Sequence, residues 1–175
     1  MSKAIKFKNN TYLDSSSIVH NKHYFAEKFQ EGLVNVASNM INGKWMKLCN
    51  IHFDSHVQGE FVYMKIMIGN GNNGLPNQNA YIDLIMQLGW TGSESGRLGC
   101  SAILHSIQTA FTTTNTSLKV IANSNIDYDI WFRASAIYCR PNYVFEGSQR
   151  VRVIPKWVFS DSEPSGTECK LAYTN

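Results

Sequence analysis

The residues of this chain that could do chemistry are scattered and form no familiar motif. His52 and His56 stand four residues apart with Asp54 between them, a spacing that suits a shared metal ion on a helix. The surrounding pattern is that of a strand, in which the three side chains share a face but spread over about 13 Å. One metal ion does not span that distance, so we interpret both histidines as solvated residues near a turn.

Other combinations of reactive residues are weaker still. His20 and His23 flank a turn near the N-terminus, and three copies of them around a symmetry axis could bind an ion only if the protein is a trimer. Asp127 and Asp129 share a face of a predicted strand, so a glycosidase-like pair is conceivable, but a solvated strand edge is the preferred interpretation. No nucleophile elbow, zinc-protease motif or phosphate-binding loop is present. The sequence therefore predicts no catalytic residue, no metal, no cofactor and no enzyme.

One aromatic residue stands apart from the others. Trp90 ends a predicted strand and opens a loop that runs to Arg97. An exposed tryptophan beside polar side chains can stack on the apolar face of a sugar while its neighbours bond the hydroxyl groups. The alternative is a tryptophan that plugs the end of a β-sandwich. Trp45, Trp131 and Trp157 lie in strand patterns, which indicates the core or a subunit interface.

Composition narrows the class of protein. The 175 residues suit one domain, and 43% hydrophobic with 12% aromatic residues is too apolar for a disordered chain. The net charge is only +3 and the basic residues are scattered, so we expect no nucleic acid partner. No run approaches about 18 consecutive apolar residues, so we expect no membrane insertion.

The four cysteines are Cys49, Cys100, Cys139 and Cys169. None of them forms a CxxC pair, which disfavours a zinc ribbon or a thioredoxin-like site. Their even number permits two disulfides, but the wide spacing and the polar, basic N-terminus without a signal-like apolar stretch favour free, buried thiols.

The elements that must position these residues are mostly strands. Residues 4–13 predict a hairpin with a turn at Asn9 and Asn10. Residues 23–40 carry the one helical pattern, an apolar stripe that Gly32 weakens. From residue 43 the period is two. The strand candidates in that part are 45–53, 61–68, 81–88, 101–107, 118–122, 128–139, 151–159 (interrupted by Pro155 into two edge segments) and 169–173.

Some eight short strands separated by Gly-, Asn- and Ser-rich loops predict an all-β fold, an antiparallel β-sandwich or jelly roll. The hairpin and the helix would form a short lead-in to it. We therefore divide the chain into an N-terminal attachment or oligomerisation segment, residues 1–42, and a sandwich head, residues 43–175.

The sequence also resembles a protein family. Residues 4–20 are similar to the start of tail-fibre or receptor-binding proteins from phages and prophages of Gram-positive bacteria. Residues 43–48, 61–71 and 129–136 resemble strands of the head domains of those proteins. The resemblance covers most of the chain as a pattern of strands and loops, without a catalytic signature.

That resemblance implies a homotrimeric jelly roll, like tumour necrosis factor or complement C1q, located in the virion at a phage tail. Such a head would bind bacterial cell-surface polysaccharide, and the N-terminal segment would dock to other tail or baseplate proteins. Trp131 and Tyr138 would be candidates for the subunit interface. The family supplies no saccharide motif to carry over. Our candidate saccharide ligands are Trp90, Ser93, Glu94 and Arg97, with Asn72 and Asn73 as second choices.

Two other functions stay open. The same fold could serve as a structural virion or tail-assembly protein that binds no ligand. It could also belong to an enzyme that acts on surface polysaccharide, which would require an acid pair or a triad that the sequence does not display.

Overall fold

The computed structural model describes the strands of the chain and most of the turns between them. The described residues are 5–6, 12–13, 43–54, 58–69, 79–89, 98–106, 111–112, 114–135, 139, 141–148, 150–169 and 171–174. Within these ranges the chain forms twelve β-strands and no helix. No helix that could cross a membrane occurs among the residues so described.

The strands follow in chain order. They are β1 (Ile5–Lys6), β2 (Tyr12–Leu13), β3 (Trp45–Phe53), β4 (Phe61–Gly69), β5 (Asn79–Leu88), β6 (Leu98–Ser106), β7 (Thr116–Ala122), β8 (Asp127–Ala134), β9 (Asn142–Gly147), β10 (Val151–Ser160), β11 (Thr167–Cys169) and β12 (Leu171–Thr174).

The strands form two five-stranded sheets and a separate hairpin. One sheet, which we call the front sheet, has the order β12-β6-β5-β4-β9, and the back sheet has the order β10-β3-β8-β7-β11. All pairs are antiparallel except β12 with β6. The predicted all-β sandwich is therefore confirmed. The N-terminal hairpin also forms, with Ile5 opposite Leu13, whereas the predicted helix at 23–40 lies outside the described residues.

Alternating apolar residues build the core between the two sheets. In β5, the side chains of Ile82, Leu84 and Met86 are fully buried while their sequence neighbours point outward. Ile51 of β3 and Ile130 of β8 are fully buried on the facing side. Each such side chain contributes about 1.5–3 kcal/mol by leaving water, so this packing fixes which residues of every strand face solvent.

A β-bulge in β3 changes one expectation about the core. An unbroken period of two would place Trp45 on the same face as Cys49. In the structure, Lys47 pairs with Trp131 and Cys49 with Ile130, so Leu48 is an extra residue. The extra residue reverses the alternation on one side of the bulge. Trp45 therefore points away from the core, although only 3% of it is exposed.

A short strap, residues 161–166, crosses the outer face of the back sheet. It joins β10 to β11, which lie at opposite edges of the back sheet, about 19 Å apart at the usual strand spacing. Six residues barely span that distance when extended, so the strap passes directly over the outer face. Lys119 on that face forms an ion pair with Glu163 of the strap, and Ile121 packs against Gly166.

Other strand boundaries differ from those expected. The predicted strand 128–139 ends at Ala134, and β9 follows as a separate strand that the sequence analysis missed. Pro155 does lie in an edge strand, β10, where the register shifts between Pro155 and Val158. The single closing strand expected at 169–173 is two strands, and these belong to different sheets.

The core assignment predicts opposite outcomes for two adjacent residues of β5. Leu84→Ala should destabilise the protein by about 2–5 kcal/mol, because it leaves a cavity between the sheets. Ile85→Ala, which removes a side chain that is 49% exposed, should change the stability by less than about 1 kcal/mol. Equilibrium unfolding in urea measures both, and equal losses would contradict the inward and outward assignment.

Candidate functional site

The outer face of the front sheet is an open surface among the residues that the structure describes. No strap like that of the back sheet crosses it among the described residues. Three large apolar side chains on it are well exposed: Phe61 at 39%, Ile85 at 49% and Ile103 at 43%. Polar and aromatic side chains of β4, β5 and β6 lie between them, and they form the most concentrated set of interacting functional groups that the described residues present on this face.

Asp83 is the centre of this set, which we call the Asp83 cluster. The hydroxyl of Tyr63 donates a hydrogen bond to Oδ1 of Asp83 over 2.5 Å. Nε2 of His105 lies 2.9 Å from Oδ2, at ion-pair distance but outside hydrogen-bond alignment. Nζ of Lys65 lies 3.9 Å from Oδ1. One carboxylate thus holds a phenol, an imidazole and an ammonium group around it.

Strand pairing explains why these side chains meet. Asp83 of β5 is directly opposite Lys65 of β4, and Tyr81, two residues away on the same face, is opposite His105 of β6. The rings of Tyr81 and His105 stack with centroids 4.3 Å apart, and Nζ of Lys65 lies 4.5 Å from the centre of the Tyr81 ring. These contacts fix the orientation of the groups around Asp83.

The cluster borders a recess in the open face, and a further recess is also formed by the described residues. The first recess, of about 820 Å³, is lined by Lys65, Tyr81, His105 and Asn79 among others. The second recess, of about 560 Å³, lies at the other end of the face and is lined by Gln87, Ser101 and Cys100 among others. Each has room for a small polar ligand or for part of a chain molecule.

The six predicted saccharide ligands lie outside the described residues. Asn72 and Asn73 belong to the segment between Gly69 and Asn79, whereas Trp90, Ser93, Glu94 and Arg97 belong to the segment between β5 and β6. The two segments leave opposite ends of β5, whose ten residues span about 33 Å. Asn79 lines the first recess and Leu88 the second, so each segment leaves a strand end beside one recess.

A second set of polar contacts lies on the back sheet. Nδ1 of His52 is 2.8 Å from Asp127, and Arg152 is 2.7 Å from Asp54. His52 is thus paired as well as partly solvated, while His56 lies outside the described residues. Among the residues that the structure describes, no three metal-binding side chains gather into a site.

The interpretation of Asp129 as part of a solvated edge is wrong. β8 lies between β3 and β7 inside the back sheet, and Asp129 is only 6% exposed. Its carboxylate accepts a hydrogen bond from Asn50 over 3.0 Å and forms an ion pair of 2.5 Å with Lys47. These contacts neutralise a carboxylate in the sheet, so we assign it a structural role.

The sequence alone does not predict the Asp83 cluster, although part of the signal is present in it. The alternation of Ile82, Leu84 and Met86 indicates that Asp83 points outward from its strand. Its partners come from positions 18 and 20 residues earlier and 22 residues later, and only the registers of β4 and β6 bring them to it. Outward tyrosine, lysine and histidine on neighbouring strands would have suggested the cluster once those registers were known.

Comparisons with known proteins give a fold and no family. The sequence matches no known protein family and no curated protein. The structure is similar to WceF of Pantoea stewartii. The TM-score is 0.51 and the identity 13%, over 77% of this chain and 21% of that chain. WceF is described as a glycan biofilm modifying enzyme with a bacteriophage tailspike-like parallel β-helix fold.

This likeness bears on two expectations from the sequence. The expected kinship with phage tail proteins is supported only in its coarser form, as a structural likeness to one tailspike-like protein. The prediction that the protein is not an enzyme is corrected, because that structural neighbour is described as an enzyme. This chain spans about a fifth of that neighbour, 21%, and at this identity the likeness establishes the fold alone.

The hydrogen bond between Tyr63 and Asp83 makes a testable difference to the titration of Tyr63. Burial, and then the hydrogen bond to the Asp83 carboxylate, raise the pKa of Tyr63 to about 12. The folded protein thus favours the protonated phenol. The protonated Tyr63 hydroxyl contributes its full stabilisation of the fold below the ordinary tyrosine pKa of about 10. This stabilisation is lost as the pH rises through the pKa of Tyr63 in the folded state.

An ultraviolet titration of phenolate, taken as the difference between wild type and Tyr63→Phe, should therefore show a midpoint near pH 12. Tyr63→Phe keeps the ring and removes only the titrating hydroxyl. A difference curve with its midpoint near 10, the ordinary value, would contradict the contact with Asp83.

Proposed function

We propose that this protein acts on a saccharide and that the Asp83 cluster is the place where it does so. The observation that carries the proposal is a partly buried carboxylate that holds a phenol, an imidazole and an ammonium group beside an open recess. Saccharide hydroxyl groups can bond to such mixed donors and acceptors. The likeness to a tailspike-like glycan-modifying enzyme supports this class of substrate.

The chemistry best suited to the cluster is general acid–base catalysis. Imidazole as a chemical group exchanges protons readily near neutral pH, and Nε2 of His105 lies 2.9 Å from the Asp83 carboxylate. We propose His105 as the group that transfers a proton, with Asp83 and Tyr63 as positioning residues. A water molecule or a sugar hydroxyl in the first recess would be its partner.

A two-carboxylate mechanism fits this face less well. A second carboxylate near Tyr63 belongs to Glu146 of β9, which pairs directly with Tyr63 of β4. Because β4 lies between β9 and β5, Glu146 and Asp83 are two strands apart, and they are offset by two residues along the strands. These spacings place their Cα atoms about 12 Å apart. We therefore base the proposal on Asp83 and His105, whose side chains lie 2.9 Å apart, and not on a glycosidase-like pair of carboxyl groups.

Asp83→Asn tests the proposal with a matched control. The purified chain would be incubated with a panel of bacterial surface polysaccharides, and products would be followed by reducing ends and mass spectrometry. Asp83→Asn should lower product formation by about 10²-fold or more, the usual scale of acid–base catalysis. Asp127→Asn, which changes the other Asp–His pair, should leave the rate within about threefold, since that pair lies on the back sheet. Full activity of Asp83→Asn, or the absence of product from every polysaccharide, would overturn the proposal.

A second candidate function is attachment of a phage virion to host polysaccharide by a homotrimer. The observation that favours it is the group of exposed apolar side chains that a single chain leaves uncovered: Phe61, Ile85 and Ile103. Three copies would raise the avidity of weak single sites. We propose that Trp90, Ser93, Glu94, Arg97, Asn72 and Asn73 would then contact the sugar, and that residues 1–42 would bind other tail or baseplate proteins.

Mass in solution and binding together test this second function. Light scattering should give three times the chain mass of 19.8 kDa, and the protein should bind whole cells or polysaccharide without releasing products. A monomer at micromolar concentration contradicts the trimer. A blank result in both the binding and the product assays would favour a structural tail protein.

A further inference from the structure

Two cysteines from different sheets meet where the chain passes from the back sheet to the front sheet. Cys169 ends β11 at the edge of the back sheet, and Leu171, two residues later, pairs with Cys100 of β6. Cα atoms of β6 and β11 approach within 8 Å. The thiols of Cys100 and Cys169 are hydrogen-bonded to each other and are not joined by a disulfide.

The thiol contact changes the acidity of both groups. The pKa of Cys169 is lowered because the Cys100 thiol donates a hydrogen bond to it. The pKa of Cys100 is raised by the same bond and by burial. The other two cysteines behave differently, because burial raises the pKa of Cys139 to about 12 and also raises that of Cys49. Among the four thiols, Cys169 therefore has the most thiolate character, and its partner Cys100 carries the shared proton.

We propose that Cys100 and Cys169 form a reversible disulfide that joins the two sheets at this edge. The oxidant is a small-molecule disulfide such as glutathione disulfide, and it would react first at Cys100, the less buried of the two thiols. Cys169 is fully buried, so it serves as the second thiol, after Cys100 has reacted.

The exchange balances in two steps. The Cys169 thiolate accepts the Cys100 proton along their hydrogen bond, and the sulfur of Cys100 attacks glutathione disulfide, which forms a mixed disulfide and releases one glutathione thiolate. That thiolate takes up the proton from Cys169. The Cys169 thiolate then attacks Sγ of Cys100, which forms the Cys100–Cys169 bond and releases the second. The two thiol protons end on the two glutathione molecules. The protein has lost two electrons and the oxidant has gained them.

The disulfide would constrain the C-terminal part of the sandwich. It would join residues 69 positions apart in the sequence and would hold β11, which is only three residues long, against β6. β12 follows after a single residue and pairs only with β6 among the described strands, so the same bond would limit its release. Closing so long a loop lowers the entropy of the unfolded chain.

Mass spectrometry of the wild-type chain tests the disulfide directly. After incubation with glutathione disulfide, denaturation and alkylation, we expect two alkylated cysteines instead of four, and a cross-linked peptide pair that contains Cys100 and Cys169. The thermal midpoint of the oxidised protein should exceed that of the reduced protein by about 5–15 °C.

Two variants provide the controls. The double variant Cys100→Ser, Cys169→Ser should show no dependence of the midpoint on oxidation, whereas Cys139→Ser should keep the full shift. Four alkylated cysteines after oxidation, a disulfide that includes Cys49 or Cys139, or a shift that persists in the double variant would overturn the proposal. The mass measurement uses the unaltered chain, so it decides the question even if a variant does not fold.

Discussion

The packing of two inner sheet faces against each other is the constraint on which the rest of this structure depends. Side chains such as Ile130 of the back sheet and Leu84 of the front sheet are fully buried between them. Because side chains alternate along a strand, a slip of one residue would expose every buried side chain of that strand. The core therefore fixes the register, and the register fixes the outward residues. The Asp83 cluster exists because Asp83, Lys65 and Tyr63 occupy the positions that the core leaves outside.

The two outer faces differ, because the strap crosses one of them and no described segment crosses the other. We place the functional surface on the face that the strap does not cross. The strap crosses the outer face of the back sheet, on which an outward tryptophan, Trp45, is buried, while Ile154 and Val158 at the β10 edge stay exposed. Polar groups under or beside it, such as Asp129 with Lys47, are paired within the sheet. The front sheet keeps its polar cluster, its apolar side chains and its recesses on an open surface. Among the residues that the structure describes, none crosses that face as the strap crosses the other.

The likeness to WceF is best understood at the level of the sandwich. It covers 77% of this chain but only 21% of that protein, so a module of this kind can occur within a much larger glycan-modifying enzyme. A sandwich does not by itself determine an activity, because one fold carries many functions. The case for a saccharide therefore depends on the side chains of the open face, and the case for the disulfide depends on an edge where the chain changes sheets.

The sequence by itself determined the β-class, most of the strands and the hairpin at Ile5–Lys6 and Tyr12–Leu13, because the alternation of apolar residues and the turn formers are local signals. It did not determine the face of Trp45, since one extra residue in β3 reverses the alternation. It also did not unite Asp83 with His105 or Cys100 with Cys169, because these contacts join strands distant in sequence. Only tertiary structure, through strand order and register, decided which outward side chains meet and which sheet face stays open.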